Sequence, residues 1–176
     1  ALGKTQRQAW YSTTCCPPNI QRTLAALPGY FYSTSAQGVW VHLYHNSALE
    51  WRLENGTGLA MTQQTDYPWQ NTVELTVNPA RAARFSLFVR IPGWTRQATV
   101  TVNGQAVPQA LWPGSYLELN RNWSKGDRVK LVFDMPARFV QANPRVRESL
   151  GRVAVERGPL VYCAEAPDQP RVSLFD

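Results

Sequence analysis

Hydrophobic and polar residues alternate with a period of two along most of the chain after Tyr30. In the clearest example, Val39 and Val41 alternate with Trp40 and His42. Such alternation places successive side chains on opposite faces of a strand. The pattern recurs in about nine segments, at the spacing typical of an antiparallel sandwich. The other segments are 49–53, 73–77, 85–91, 100–102, 116–119, 129–133, 153–155 and 160–163. The sequence therefore predicts a mainly β fold, an antiparallel, jelly-roll-like β-sandwich.

Turn signals support this prediction. Asn55-Gly56 and Asn103-Gly104 each follow an alternating segment, and Asn-Gly is the strongest short-range signal of a β-hairpin. Residues 107–112 and 137–152 are the longest stretches without a clear strand period.

The first thirty residues follow a different period. Ile20, Leu24 and Leu27 recur at helical spacing after two prolines, and Pro28-Gly29 stops the pattern. These signals predict a helix over 17–27, with Cys15 and Cys16 directly before its N-terminus. The positive end of the helix dipole favours a thiolate at that position.

Composition and charge exclude several classes of protein. The net charge is +6, but the arginines are scattered singly, and their densest stretch, 137–157, has no aromatic residue beyond Phe139, so we expect no nucleic-acid partner. No apolar run is long enough to suggest a membrane span, so no membrane partner is expected. There is no charged-then-apolar leader, and the first residue is Ala1, so we expect a chain processed or cut from something longer. Three cysteines do not form a disulfide framework, which favours a reducing, cytoplasmic location.

The adjacent cysteines are the strongest candidates for chemistry. Two neighbouring thiols bind a soft metal such as zinc, or one acts as a nucleophile while the other steadies the site. The alternative is a pair of small buried residues beneath the start of a helix. Zinc takes about four ligands, and the only other soft ligands are Cys163, His42 and His45.

The tryptophans and the acidic residues are weaker evidence about function than the cysteines. The chain has seven Trp, and such rings either stack on sugars or fill sandwich cores and turns. A glycosidase needs a pair of carboxylates, and none of the acidic residues stands out as part of one. If the chain acts on glycosides, most of its catalytic equipment lies elsewhere.

Taken in order, several strings resemble the C-terminal half of the family 127 glycoside hydrolases, the β-L-arabinofuranosidases. The strings are Cys15-Cys16-Pro17-Pro18-Asn19 with Arg22, Gln64-Thr65-Asp66-Tyr67-Pro68-Trp69, Arg90-Ile91-Pro92-Gly93-Trp94, Val102-Asn103-Gly104, Arg121 with Trp123 and Gly126-Asp127, and Arg157-Gly158-Pro159-Leu160-Val161-Tyr162-Cys163. Each string is weak evidence alone, but the ordered set covers nearly the whole chain.

The resemblance implies a site that this chain holds only in part. In the family an (α/α)6 barrel carries the active site, and β-sandwich domains follow it. Cys15 matches the catalytic nucleophile, which forms a thioglycosyl intermediate and also contacts zinc, and Cys16 matches a zinc ligand. The remaining zinc ligands and the acid/base Glu come from earlier in the barrel. We therefore expect zinc in the full-length parent and none in this chain, which should be inactive alone.

The resemblance also implies a division of the chain. Residues 1–29 would be the end of the barrel domain, and residues 30–176 a β-sandwich that braces the missing N-terminal barrel. The expected partner is an arabinofuranoside-type carbohydrate substrate, and no residue is assigned to substrate binding. The alternative is a non-catalytic carbohydrate-binding β-sandwich module. An exposed line of aromatic residues on one sheet face would favour that alternative, and an apolar surface left by the barrel would favour the enzyme.

Overall fold

A computed structural model describes residues 14–164 of the chain. One helix, α1, is followed by thirteen strands. The helix is α1 (Cys16–Ala26), and a 3-10 turn (Leu27–Tyr30) continues it. The strands are β1 (Tyr32–Ser35), β2 (Gly38–Val41), β3 (Ser47–Arg52), β4 (Gly58–Thr65), β5 (Thr72–Pro79), β6 (Ala83–Ile91), β7 (Ala98–Val102), β8 (Gln105–Ala106), β9 (Ser115–Trp123), β10 (Asp127–Phe133), β11 (Ala137–Gln141), β12 (Val153–Arg157) and β13 (Leu160–Tyr162). A second 3-10 turn (Arg147–Ser149) lies between β11 and β12.

The strands form three sheets. The four-stranded sheet has the order β1-β2-β6-β9, and the six-stranded sheet has the order β3-β4-β5-β10-β7-β8. These two sheets enclose one hydrophobic core, to which both contribute every second residue. The largest completely buried side chains are Trp123, Phe133, Met61, Leu75, Leu87, Ile91 and Leu131. The predicted mainly β, largely antiparallel fold is confirmed.

The third sheet, β11-β12-β13, involves residues 137–162. It touches the sandwich where Arg157 donates a hydrogen bond to the carbonyl of Trp69 at 2.9 Å. Its strands are short and none of their residues is buried, and Phe139 is 76% exposed.

The proposed division of the chain between residues 29 and 30 stays a prediction.

The predicted helix over 17–27 is confirmed to within a residue at each end, because α1 begins at Cys16 and ends at Ala26. Both hairpin signals are confirmed as well. Asn103 and Gly104 adopt positive φ angles of 51° and 81° between β7 and β8, and the loop containing Asn55 joins the antiparallel pair β3 and β4. No helix within residues 14–164 combines the length and the apolar character needed to cross a membrane.

One strand pair departs from the antiparallel prediction. β2 runs parallel to β6, with Gly38 opposite Ser86. The φ angle of Gly38 is 149°, and a Cβ atom there would lie 1.9 Å from the Ser86 carbonyl oxygen. Glycine is therefore required for this close approach of the two backbones.

Two of the strands missed by the pattern show why it failed. In β4 the residue that continues the buried positions of Leu59 and Met61 is Gln63, which is polar and only 2% exposed. Its amide nitrogen donates to the Tyr32 hydroxyl at 2.8 Å and to the Leu43 carbonyl at 3.1 Å. The expectation that 137–152 has no strand is wrong for β11, an edge strand without a buried residue whose sequence lacks the usual contrast.

Candidate functional site

Cys15 and Cys16 lie at the start of α1 with both thiols exposed. Their sulfur atoms are 3.7 Å apart. Cys15 occupies the N-cap position, and its side chain makes no capping hydrogen bond. Within residues 14–164 the two cysteines are therefore not buried beneath the helix start. The two thiols are open to a ligand and close enough to act on the same atom.

The sequence after the cysteines explains the local shape. Pro17 and Pro18 fix the backbone at the beginning of the helix and contribute no N–H groups, so the first turn offers fewer donors than an ordinary helix start. Asn19 then closes the turn, since its N–H donates to the Cys15 carbonyl at 3.2 Å. Its side-chain oxygen accepts a 2.6 Å hydrogen bond from Arg22, which holds the guanidinium one turn from the thiols.

The distance between the thiols fits one shared zinc ion. Two sulfur atoms that bind zinc at about 2.3 Å with tetrahedral geometry lie about 3.8 Å apart. The observed 3.7 Å agrees with that separation. The pair supplies two of the roughly four ligands that zinc takes, and residues 14–164 contain no cluster of three or more His, Cys, Asp or Glu placed to hold a metal. Cys15 and Cys16 therefore fit zinc as half of a site.

The other soft ligands do not join this pair. Cys163 is exposed after β13, at the opposite end of the described chain. His42 hydrogen-bonds Ser33 Oγ at 2.7 Å through Nε2, and the Tyr116 hydroxyl through Nδ1. Burial, together with the Arg90 guanidinium, lowers the pKa of His42, so its neutral form is favoured. His45 is exposed with its ring edge against Phe31.

Two of the family motifs meet in the structure. Tyr67 stacks near Trp94 with ring centroids 6.4 Å apart, and both rings pack around Phe133. Tyr44 joins this cluster and donates a 2.6 Å hydrogen bond to the Arg90 carbonyl. Burial raises the pKa of Tyr44 and of Tyr67, so both hydroxyls keep their protons. These motif residues stabilise one end of the sandwich.

The tryptophans divide between buried and exposed positions. Trp123 is completely buried and donates a 3.1 Å hydrogen bond to the Phe85 carbonyl, and Trp94 packs against the core. Trp51, Trp69 and Trp112 are exposed by 49%, 65% and 69%. Trp40 is half-buried on the outer face of the four-stranded sheet, and Trp10 lies outside the described residues.

Sequence reasoning missed an aromatic cluster on that outer face. Trp40, Phe88 and Tyr116 come together there with His42, from three different strands and the loop after β2. The alternation around Trp40 and His42 was visible in the sequence. Their partners were not, because strand order decides which residues become neighbours.

Two family profiles match the chain. The profile "Beta-L-arabinofuranosidase, GH127 middle domain" matches residues 38–135. The profile "Glycoside hydrolase family 127 C-terminal domain" matches residues 137–175. The boundary between them coincides with the start of β11 and the third sheet.

Individual relatives agree with the profiles. A non-reducing end β-L-arabinofuranosidase of Bifidobacterium longum subsp. longum is 42% identical over 175 residues, covering 94% of this chain and 25% of the relative. A solved GH127 β-L-arabinofuranosidase from Geobacillus stearothermophilus T6 is 44% identical with a TM-score of 0.85, over 93% of this chain and 26% of that one. A solved GH127 β-arabinofuranosidase is 39% identical with a TM-score of 0.82, over 94% and 28%.

The chain thus spans about a quarter of the length of these relatives. The family profile of the middle domain alone covers more than half of it, and the solved relatives share its fold along nearly its whole length. The chain belongs to glycoside hydrolase family 127, with residues 38–135 matching the middle domain and residues 137–175 the C-terminal domain of that family.

Proposed function

We propose that this chain supplies the nucleophile and two zinc ligands of a retaining glycoside hydrolase that acts on β-L-arabinofuranosides. The observation that carries the proposal is the pair of exposed thiols of Cys15 and Cys16, 3.7 Å apart at the start of α1. The relatives of this chain are named as β-L-arabinofuranosidases, which supports the choice of substrate.

The proposed reaction has two displacements. In the first, Cys15 Sγ attacks the anomeric carbon, and the bond to the leaving oxygen breaks as an acid carboxyl group gives that oxygen its proton. In the second, water loses a proton to the same carboxylate and attacks the anomeric carbon, and the C–S bond breaks to return the thiolate. Two inversions retain the configuration. The acid/base group belongs to the part of the relatives' length that this chain does not span.

Cys16 has a different role in this proposal. Zinc bound by the two thiols, together with ligands from the missing part, would keep the sulfur atoms ionised and oriented. Cys16 is a ligand and does not attack the sugar. Pro17 and Pro18 restrict the backbone directly after the two cysteines, at the start of the helix that carries them.

The exposed surface of α1 indicates where the missing domain packs. None of its residues is buried, and Ile20 and Leu24 are 61% and 62% exposed on one face of the helix. An amphipathic helix gains its stability from burying such a face. We infer that the helices of an N-terminal barrel cover it, so that the sandwich braces the barrel and positions Cys15. Three free thiols in residues 14–164 support a reducing, cytoplasmic location for the parent protein.

The test uses a full-length family 127 protein that contains this chain, hereafter the parent. We expect Cys15→Ser to reduce hydrolysis of an aryl β-L-arabinofuranoside by about a thousandfold or more, because a serine hydroxyl ionises far less readily than a thiol. Cys16→Ser should first lower zinc content and then activity, with partial rescue by added zinc. Cys163→Ser is the matched control, since Cys163 is also exposed and free, and should leave turnover unchanged.

Two results would contradict the proposal. One is near-normal turnover by the Cys15→Ser parent. The other is hydrolysis by the 176-residue chain alone, which would place a complete active site within it. Metal analysis of the chain alone should find no stoichiometric zinc after dialysis, because only two ligands are present.

A further inference from the structure

The outer face of the four-stranded sheet carries a ring platform separate from the sandwich core. Phe88 is only 6% exposed although it points away from the core. Trp40 covers it, with ring centroids 3.8 Å apart and planes 6° from parallel. Tyr116 packs edge-on against Trp40 at 5.0 Å. The indole is therefore held in one orientation, stacked on Phe88.

The second face of the indole has small neighbours. Trp40 lies on β2 between Phe88 of β6 and Ser33 of the edge strand β1. Ser33 is exposed and too short to cover a ring, and Trp40 stays half-buried. The indole nitrogen lies 3.4 Å from Ser35 Oγ. One face of the indole is thus covered by Phe88, and within residues 14–164 no second ring stacks on the other face.

A chain of hydrogen bonds fixes polar groups beside the platform. Ser86, only 1% exposed, donates to Glu118 Oε1 at 2.6 Å and accepts from Asn120 at 2.8 Å. Arg84 donates to the Asn120 oxygen at 3.0 Å. Glu118 is the cross-strand neighbour of Phe88, so its carboxylate stands next to the rings. Within residues 14–164 its second oxygen, Oε2, has no hydrogen-bond partner, which leaves it available to a hydroxyl group.

Uncharged donors and acceptors lie on the other side of the indole. His42 bridges Ser33 and Tyr116, and the neutral imidazole suits this arrangement because it offers one donor and one acceptor. The platform therefore has a carboxylate on one flank and hydroxyl and imidazole groups on the other.

The composition of this face identifies its ligand. The outward positions of β1, β2, β6 and β9 carry aromatic, hydroxyl, amide and charged side chains, without Leu, Ile, Val or Met. A protein segment packed on this face would cover the ordered polar groups, and it would bury little aliphatic surface to offset that cost. A sugar ring presents an apolar C–H face to an aromatic ring and hydroxyl groups at its rim, and carboxylates make strong hydrogen bonds to hydroxyls.

We propose that this face, defined by Trp40, Phe88, Tyr116, Glu118 and His42, binds a saccharide unit without cleaving it. The sugar stacks on the free face of Trp40, Glu118 accepts from a hydroxyl group, and the hydroxyls of Ser33 and Tyr116 complete the rim. The site would hold a carbohydrate chain near the enzyme while the catalytic site acts on another unit. The choice of an arabinofuranoside as its ligand rests on the proposed function.

The test is an NMR titration of the isotope-labelled 176-residue chain with methyl β-L-arabinofuranoside and with an arabinofuranosyl oligosaccharide. We expect saturable shifts of the Trp40 indole signal and of amides in β2, β6 and β9. Glu118→Gln preserves the size of the side chain and should raise the dissociation constant about tenfold. Trp40→Ala should abolish binding, and the Glu118 variant keeps the test valid if loss of the indole unfolds the chain.

Two control variants separate this site from binding elsewhere on the chain. Glu74→Gln removes an exposed carboxylate on the outer face of the six-stranded sheet, 3.6 Å from Lys130, and should not change the affinity. Cys15→Ala should bind as the unchanged chain does, even if the catalytic assignment fails. The proposal is overturned by the absence of saturable shifts, by shifts confined to residues 15–19 and lost in Cys15→Ala, or by self-association of the chain that Glu118→Lys abolishes.

Discussion

At the scale of single residues, burial separates those that hold the fold from those available for chemistry. Tyr44 is buried and donates its hydroxyl proton to the Arg90 carbonyl, so it is structural. Cys15 and Cys16 have exposed thiols, so both are available for chemistry. Their adjacency was visible in the sequence, whereas the 3.7 Å separation of the sulfur atoms depends on the backbone at the N-cap.

His42 should make the stability of the chain depend on pH. Its pKa is lowered from 6.5 by burial and by Arg90, so the unfolded state takes up the proton first as the pH falls. The contribution is complete above the unfolded pKa and is lost as the pH drops through the folded one. We expect the urea unfolding midpoint to fall between about pH 7 and about pH 5, less steeply in His42→Gln. An NMR titration midpoint of His42 above 6.5 would contradict this.

At the scale of elements, alternation identified the strands whose inward residues are aliphatic. β5, β6 and β10 follow the predicted pattern because their core positions, such as Val73, Leu87 and Leu131, are hydrophobic. The pattern missed β4 because a polar residue, Gln63, occupies a core position, where its amide nitrogen is held by tertiary hydrogen bonds that no local pattern reveals. The pattern missed β11 because an edge strand without buried residues needs no hydrophobic face.

The parallel contact of β2 with β6 makes Gly38 the most sensitive glycine of the sandwich. We expect Gly38→Ala to destabilise the chain by more than about 4 kcal/mol or to prevent folding, because the new Cβ would lie 1.9 Å from the Ser86 carbonyl oxygen. Gly56→Ala is the control. Gly56 also has a positive φ angle, 77°, but nothing lies within 4 Å of an added Cβ. Its cost should be about 1 kcal/mol. Equal unfolding midpoints in urea would argue against the parallel pairing.

At the scale of the whole molecule, the helix and the sandwich differ in how much of their surface is buried. The sandwich has its own core, while α1 has no buried residue. The sequence predicted both elements and, through its ordered motifs, the family. It could not reveal which surfaces are covered, because in the proposed function the groups that cover α1 belong to a part of the parent that this chain does not contain.

The apolar face of α1 gives a test of the proposed contact with the barrel. Replacing both Ile20 and Leu24 by Ser should change the unfolding free energy of this chain by less than about 0.5 kcal/mol, because both side chains are exposed. In the parent the same double variant should lower the melting temperature and the activity. Gln21→Ser, on another face of the helix, is the control for both measurements. A large loss of stability in the chain alone would show that the face is already packed there.

The covalent intermediate on Cys15 tests the central claim most directly. The parent is mixed with an activated aryl β-L-arabinofuranoside, quenched in acid during turnover, and digested for peptide mass spectrometry. We predict a peptide containing Cys15 that carries one arabinofuranosyl unit, while the Cys15→Ser parent yields none. An arabinofuranosyl unit attached to another residue, or continued turnover without any adduct on Cys15, would contradict the assignment of Cys15 as the nucleophile.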